Sequence, residues 1–437
     1  MDIVGEYFRQ NPGSREAYEW ARRSIPSGCT RSALYWLPFP LCMRSGRGSR
    51  LWDVDGHERI DFNFNNTTLI LGHNHPKVME AAEGQMGRGT VLGAPTELEP
   101  RLAEELARRL EGAERVRFTP SGTEANMQAV RVARSYTGKE KIAKCEGAYH
   151  GSWDAVPVSP EHNEGIPGGV MENTLFFPFN DPEAAEELVK RCRDELAAVI
   201  VEPVQRDIPP IPGFLRALRE ATERYGVLLI FDEVISFRLS PGGAQKLYGV
   251  IPDITTMGKT MGGGFPVGAY ASTEEVMEPL KIPEATLPDM KGPRVGFSGT
   301  FNAHPVSMAA GLAVMREMRP RVYERMADMG AAMRNGLRTV LEDEDVNAHV
   351  EGVGSFFHVI WTGVDVVDHR TAATGDRSLN AYFNLGLMNR GVFKLGHPNV
   401  SAVTTDENVE LALDAARKTV RDLKPIIKER APHLLAN

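Results

Sequence analysis

The chain has 437 residues, 42% apolar and 25% charged, with a formal net charge of -8. That length supports two or three domains around a large buried core, and the acidic balance argues against nucleic acid or another polyanion as partner. Cys29, Cys42, Cys145 and Cys192 show neither Cys-x-x-Cys spacing nor a histidine cluster beside them, so reduced thiols are expected rather than disulfides or a metal site. The first residues lack a signal-peptide pattern, and no apolar run approaches the ~20 residues of a membrane span. A cytoplasmic protein with no membrane contact is therefore expected.

Residues 1–60 combine a polar helical start with a turn-rich stretch holding Ile25-Pro26-Ser27-Gly28 and Pro38-Phe39-Pro40. Trp52-Asp53-Val54-Asp55-Gly56-His57 reads as a strand, a tight Asp-Gly turn and a returning strand. Through 61–315, helical stretches such as 99–110 alternate with short apolar runs at 116–119, 141–145, 175–177, 198–201, 227–231 and 267–270. Runs apolar on both faces suit a parallel sheet covered by helices, and the alternation predicts an α/β domain. From 316 to 437, helices such as 323–341 flank shorter strands near 355–359, which predicts a smaller α+β domain.

In open α/β sheets ligands collect beyond the carboxyl ends of strands, so the polar residues there are the informative ones. Ser121-Gly122-Thr123-Glu124-Ala125-Asn126 opens a helix after the run at 116–119. Its hydroxyls, amides and positive dipole end suit a phosphate, and an ordinary N-cap with Glu124 at N3 is the plain alternative. The run at 227–231 ends in Asp232-Glu233, and a carboxylate at a buried strand end needs a partner. Tyr149-His150 sits in a turn after 141–145. Glu202-Pro203-Val204-Gln205 ends the run at 198–201, and Ser298-Gly299-Thr300 precedes a small-residue helix. Each of these has a structural reading as packing, strand-end or helix-entry residues.

Lys259 lies where a strand-like run enters the glycine-rich turn Gly262-Gly263-Gly264. A lysine partly desolvated there becomes a nucleophilic amine able to form a Schiff base with an aldehyde. Gly258-Lys259-Thr260 also suggests a phosphate-binding P-loop. That pattern requires glycine where the chain has Asp253, and here the lysine follows the acidic strand instead of preceding it. A phosphate cup, a stacking aromatic, a strand-end Asp and a Schiff-base Lys together are the parts that hold pyridoxal 5′-phosphate.

The ordered set Ser121-Gly122-Thr123, Tyr149-His150-Gly151, Glu202-Pro203, Asp232-Glu233-Val234, Lys259 and Thr300-Phe301 resembles the class III aminotransferases, from about residue 20 to 420. Ile25-Pro26-Ser27-Gly28-Cys29-Thr30-Arg31-Ser32 and Leu239-Ser240-Pro241-Gly242-Gly243-Ala244-Gln245 are most similar to the β-phenylalanine aminotransferase and glutamate-1-semialdehyde aminomutase branch. The resemblance implies a fold-type-I architecture, with a mostly parallel seven-stranded sheet in the large domain and a smaller α+β domain. It implies that Lys259 carries the cofactor and moves protons, and that Asp232 pairs with the pyridinium. Ser121, Gly122 and Thr123 would hold the phosphate, Tyr149 and Val234 would flank the ring, and Glu202 and Gln205 would line its substituent edge. Thr300 would reach the neighbouring subunit's phosphate, which implies a homodimer with active sites at the interface.

Arg31 is expected to bind the substrate carboxylate through two parallel hydrogen bonds, with an ordinary surface arginine as the plain alternative. Tyr35, Trp36 and Phe39 offer an aromatic wall, with core packing as the alternative. The expected activity is amino transfer from an amino acid, β- or aromatic/apolar, to a keto acid by a ping-pong Schiff-base route. The alternatives are an aminomutase, a racemase or a decarboxylase. The aminomutases carry a small glycine- and serine-rich gating segment after Tyr-His-Gly, whereas this chain has Ser152-Trp153-Asp154-Ala155-Val156-Pro157-Val158-Ser159-Pro160. Arg206-Asp207 stands where relatives have small residues. It reads either as a second carboxylate anchor or as a solvated turn.

Overall fold

A computed structural model of the chain describes residues 2–158, 164–283 and 292–435. They form two compact units. One comprises Met1–His75, Glu324–Val366 and Thr371–Asn437, the other Pro76–Tyr323 with Val367–Arg370.

The second unit is built on seven strands: β1 (Arg115–Thr119), β2 (Lys141–Cys145), β3 (Thr174–Phe177), β4 (Leu196–Val201), β5 (Leu228–Asp232), β6 (Ile254–Gly258) and β7 (Gly268–Ser272). Their order across the sheet is β1-β7-β6-β5-β4-β2-β3. β7 is antiparallel to both its neighbours, and every other pairing is parallel. This is the mostly parallel α/β sheet expected from the apolar runs. Every residue of β4, β6 and β7 is buried, as strands covered on both faces require.

The helix Gly122–Thr137 packs on this sheet through Ala125, Ala129, Val130, Val132 and Ala133. Those short side chains allow a close approach. Ser121 caps its start, accepting the Glu124 amide at 3.2 Å, and Gly138 ends it at φ 70°, the left-handed stop that glycine adopts without a Cβ clash.

In the first unit, Met43–Arg47, Arg50–Asp53 and Glu58–Asp61 form an antiparallel meander, which Val392–Phe393 joins in parallel alongside Ile60 and Asp61. The strand expected near 355–359 is displaced to His358–Ile360, because Phe356 instead bridges Asn399. Among the described residues no helix is long and apolar enough to cross a membrane, and no group of three or more His, Cys, Asp or Glu is placed to hold a metal ion.

Candidate active site

One edge of the seven-stranded sheet gathers the polar strand ends. The register aligns Thr119, Gly268 and Gly258 across β1, β7 and β6 and sets Asp232 beside Thr256. Glu146 follows the end of β2 and Glu202 the end of β4 on the same side.

Asp232 closes β5 with its side chain only 3% exposed. Its Oδ2 accepts from Asn126 Nδ2 at 2.7 Å and meets His150 Nδ1 at 2.8 Å, while Oδ1 accepts the Val234 amide at 3.1 Å. Asn126 is itself held: Thr256 Oγ1 donates to its Oδ1 at 2.5 Å, and its Nδ2 also reaches the His150 carbonyl at 3.1 Å. These contacts compensate the burial of the carboxylate. The next residue turns the other way. Glu233 caps the short helix Gly243–Tyr248, accepting from Ala244 N at 2.6 Å, Gln245 N at 2.8 Å and Ser236 Oγ at 2.9 Å. Burial pushes its carboxyl above the usual range while those donors hold it down. The acidic pair thus divides, with Glu233 fixing the turn that Asp232 opens.

The helix start at Ser121, Gly122 and Thr123 lies against the same edge. Its first amides have no intrahelical acceptor. A Cβ at Gly122 would stand 2.8 Å from Val234 Cγ2, one at Gly258 3.4 Å from Val234 Cγ1, and one at Gly151 2.5 Å from Thr123 Oγ1. Val234, the helix start, the Tyr149–Gly151 loop and the residue before Lys259 therefore converge.

Lys259 follows with φ 46° and opens a 3₁₀ turn, Lys259–Gly262; it is partly buried. A left-handed non-glycine residue costs about 1–2 kcal/mol, and such outliers cluster at functional sites.

The loops beyond β2 and β4 are tied together. Tyr149 is 44% exposed. Its amide donates to Glu202 Oε2 at 3.0 Å, and Gln205 Nε2 donates to the Glu146 carbonyl at 2.5 Å. His150 Nε2, Gln205 Oε1 and Thr260 Oγ1 are buried without a hydrogen-bond partner among the described residues. Arg206 and Asp207 do not form a solvated turn: Arg206 Nε donates to the Gly147 carbonyl at 3.1 Å, and Asp207 is 3% exposed.

Lys144 escaped the sequence reading, because a lysine in a strand reads as an edge or surface residue. It is fully buried and donates to the Ala148 carbonyl at 2.9 Å and the Pro157 carbonyl at 2.7 Å, with its ammonium 5.4 Å from the Phe176 ring. Burial lowers its pKa to about 8. A lowered pKa alone does not make a nucleophile: sealed between two carbonyls, Lys144 serves as a tie. It fastens the Tyr149 loop to 153–158, where Ala155 and Val156 are buried and the Ala155 carbonyl accepts from Thr174 Oγ1 at 2.9 Å. Ser159 and Pro160 lie outside the described residues.

Thr300 is exposed and lines a separate cleft with Leu92, Arg117, Phe118, Asn302 and His304, to which neither Lys259 nor Asp232 contributes.

Arg31, Tyr35 and Trp36 belong to the other unit. Arg31 is exposed, and its Nη1 donates to Asn65 Oδ1 at 2.6 Å. Trp36 Nε1 donates to Tyr7 OH at 3.0 Å, with its ring 6.1 Å from Phe393, while Tyr35 is 40% exposed. Phe39 is buried 5.1 Å from Tyr7, so it is a core residue and not part of a wall.

The family model for aminotransferase class-III matches residues 35–419. A glutamate-1-semialdehyde 2,1-aminomutase of Methanothermobacter thermautotrophicus is 40% identical over 94% of this chain and 99% of its own. A crystal structure of an omega-transaminase from Sphaerobacter thermophilus is 40% identical, covers 95% of this chain and 99% of its own, and superposes with a TM-score of 0.88. A β-phenylalanine aminotransferase from Variovorax paradoxus is 32% identical over 97% of both chains, again with a TM-score of 0.88. With this architecture and this sheet edge, the chain belongs to the class III aminotransferases, the fold-type-I enzymes that work with pyridoxal 5′-phosphate.

Proposed function

We propose that this enzyme is a ping-pong aminotransferase that takes the amino group of a β- or aromatic/apolar amino acid and delivers it to a keto acid. The observation that carries the reading is the single sheet edge where Asp232, Lys259, Val234 and the helix start at Ser121 converge. The edge fits the cofactor in its glycine-lined cradle and in its buried polar atoms that lack partners.

When bound, the cofactor supplies an aldehyde for covalent capture and an electron sink for the substrate carbon. The protein's part follows from its own residues. Lys259 Nζ would hold the cofactor covalently, yield to the incoming amine and then carry the proton between substrate and cofactor carbons. General acid–base help of this kind is typically worth about 10²–10⁴-fold. Asp232, fixed by Asn126 and His150, would keep the ring nitrogen protonated. The amides of Gly122 and Thr123 at the helix start, with the hydroxyls of Ser121 and Thr123, would bind phosphate. Tyr149 and Val234 would cover the two ring faces, and Glu202 and Gln205 would line its edge. Arg31 would anchor the substrate carboxylate, with Tyr35 and Trp36 beside it. Thr300 would serve the active site of a second subunit in a homodimer, consistent with exposed Leu92 and Phe301 near its cleft.

A second reading is favoured by the 40% identity to the aminomutase: an enzyme that returns the amino group to a neighbouring carbon of the same molecule. Such a reaction must retain its half-converted substrate behind a gate. Here the segment after Gly151 is tied down at Ala155, Pro157 and Val158, which supports release and hence transfer between two molecules. The test mixes holoenzyme with a panel of α-, β- and ω-amino acids and no acceptor. One equivalent of oxo product per site should be released by a β- or apolar α-amino acid. Conversion of glutamate-1-semialdehyde in the same preparation, without oxo product from any donor, would establish the second reading instead.

A further inference from the structure

We propose that Asn65 is a positioning residue that sets the Arg31 guanidinium for a substrate carboxylate, an inference that rests on the reading of Arg31 as the carboxylate anchor. Phe64, Asn65, Asn66 and Thr67 all have positive φ, at 45°, 52°, 51° and 75°. Four consecutive left-handed residues, none of them glycine, do not persist without outside support.

The support is extensive. Asp61 Oδ1 accepts the amides of Asn63 at 2.7 Å and Phe64 at 3.0 Å, and its Oδ2 meets His73 Nε2 at 2.6 Å. Asn63 Oδ1 accepts the Asn66 amide at 2.9 Å, its Nδ2 reaches Asn66 Oδ1 at 3.0 Å and the Leu395 carbonyl at 2.5 Å, and Asn399 Nδ2 donates to its carbonyl at 3.0 Å. Every residue from 61 to 67 is buried except Asn65. Among the described residues the Asn65 side chain takes no part in this support. Its Oδ1 accepts from Arg31 Nη1 instead.

A braced, disfavoured turn thus presents one side chain, and that side chain holds the exposed arginine. The Arg31 guanidinium has no other partner among the described residues. With Nη1 fixed, the Nε–Nη2 edge of the fork remains for two parallel hydrogen bonds to a carboxylate. A neutral amide orients the cation without neutralising it, which a carboxylate at position 65 would do.

The test compares an apolar β-amino acid with the amine of the same skeleton lacking the carboxylate, in holoenzyme carrying Asn65→Gly, Asn65→Asp or Arg31→Ala. Asn65→Gly keeps the left-handed backbone and removes only the acceptor. It should raise KM for the amino acid by about five- to tenfold, the scale of one typical net hydrogen bond. The same factor should appear calorimetrically in the dissociation constant of the des-amino carboxylic acid, with kcat and the amine unchanged. Asn65→Asp should weaken the carboxylate further. If Arg31→Ala selectively impairs the amino acid while Asn65→Gly leaves its KM and the acid's binding unchanged, the positioning role is overturned and the anchor stands. If Arg31→Ala impairs both donors equally, the anchor reading falls and the proposal with it.

Discussion

Replacing Asn126 by alanine should cost more than an ordinary buried asparagine-to-alanine change. Three contacts disappear: Nδ2 to Asp232 Oδ2 at 2.7 Å, Nδ2 to the His150 carbonyl at 3.1 Å, and the Thr256 hydroxyl to Oδ1 at 2.5 Å. A hydrogen bond to a charged group is worth about 1.5–3 kcal/mol, and a buried hydroxyl left unpaired costs about 1–3 kcal/mol. Together these give about 2.5–6 kcal/mol, a large share of a typical stability of about 5–15 kcal/mol. Asp232 would also lose a donor that fixes its carboxylate, so cofactor affinity should fall by at least about tenfold. Urea unfolding of the cofactor-free protein measures the first quantity, and equilibrium titration with pyridoxal 5′-phosphate the second. Thr256→Val is the control. It removes only the outer hydroxyl and should cost about 1–3 kcal/mol, less than Asn126→Ala, with little change in affinity. If Asn126→Ala matched wild type in both assays, or Thr256→Val equalled it, the Asp232 network would not operate as described.

Lys144 makes stability depend on pH. Its folded pKa of about 8 lies below the ordinary 10.5, chiefly through burial, with Cys145 and Glu202 raising it and Arg206 lowering it. Between those values the unfolded chain binds the extra proton, so this residue's contribution to stability rises with pH and is lost as pH falls through about 8. The stability difference between wild type and Lys144→Met should shift toward wild type by on the order of 3 kcal/mol across that window, and a flat difference would count against a buried lysine. Gly122→Ala should lower stability or cofactor affinity by about 1–3 kcal/mol, because its Cβ would meet Val234 Cγ2 at 2.8 Å. Adding Val234→Ala should recover most of that loss, and no recovery would place the clash elsewhere.

The parts legible in the sequence were those whose chemistry is local. The strands of the large sheet announced themselves because both faces are buried, as in Leu196–Val201. Asp232 and Lys259 stood out because a polar residue directly after such a run has few structural excuses. The Asp232 network was not legible, since Asn126, His150 and Thr256 come from a helix, a loop and a neighbouring strand, and their meeting depends on register. Lys144 was hidden because its partners are backbone carbonyls, which carry no side-chain signature. The turn at 64–67 was hidden because its left-handed residues are Phe, Asn and Thr instead of the glycine that flags such a conformation. Arg206-Asp207 is polar in composition, yet one residue is bonded to Gly147 and the other buried.

The central claim is that Lys259 carries the cofactor, and reductive trapping followed by peptide mapping tests it most directly. Lys144 is the built-in competitor, since its pKa near 8 favours the free amine. Borohydride treatment of the holoenzyme should fix one cofactor per chain on the peptide containing Lys259, leave Lys144 unmodified, and give no labelled peptide in Lys259→Ala. Label on Lys144 or another lysine, or stoichiometric label in Lys259→Ala, would contradict the account.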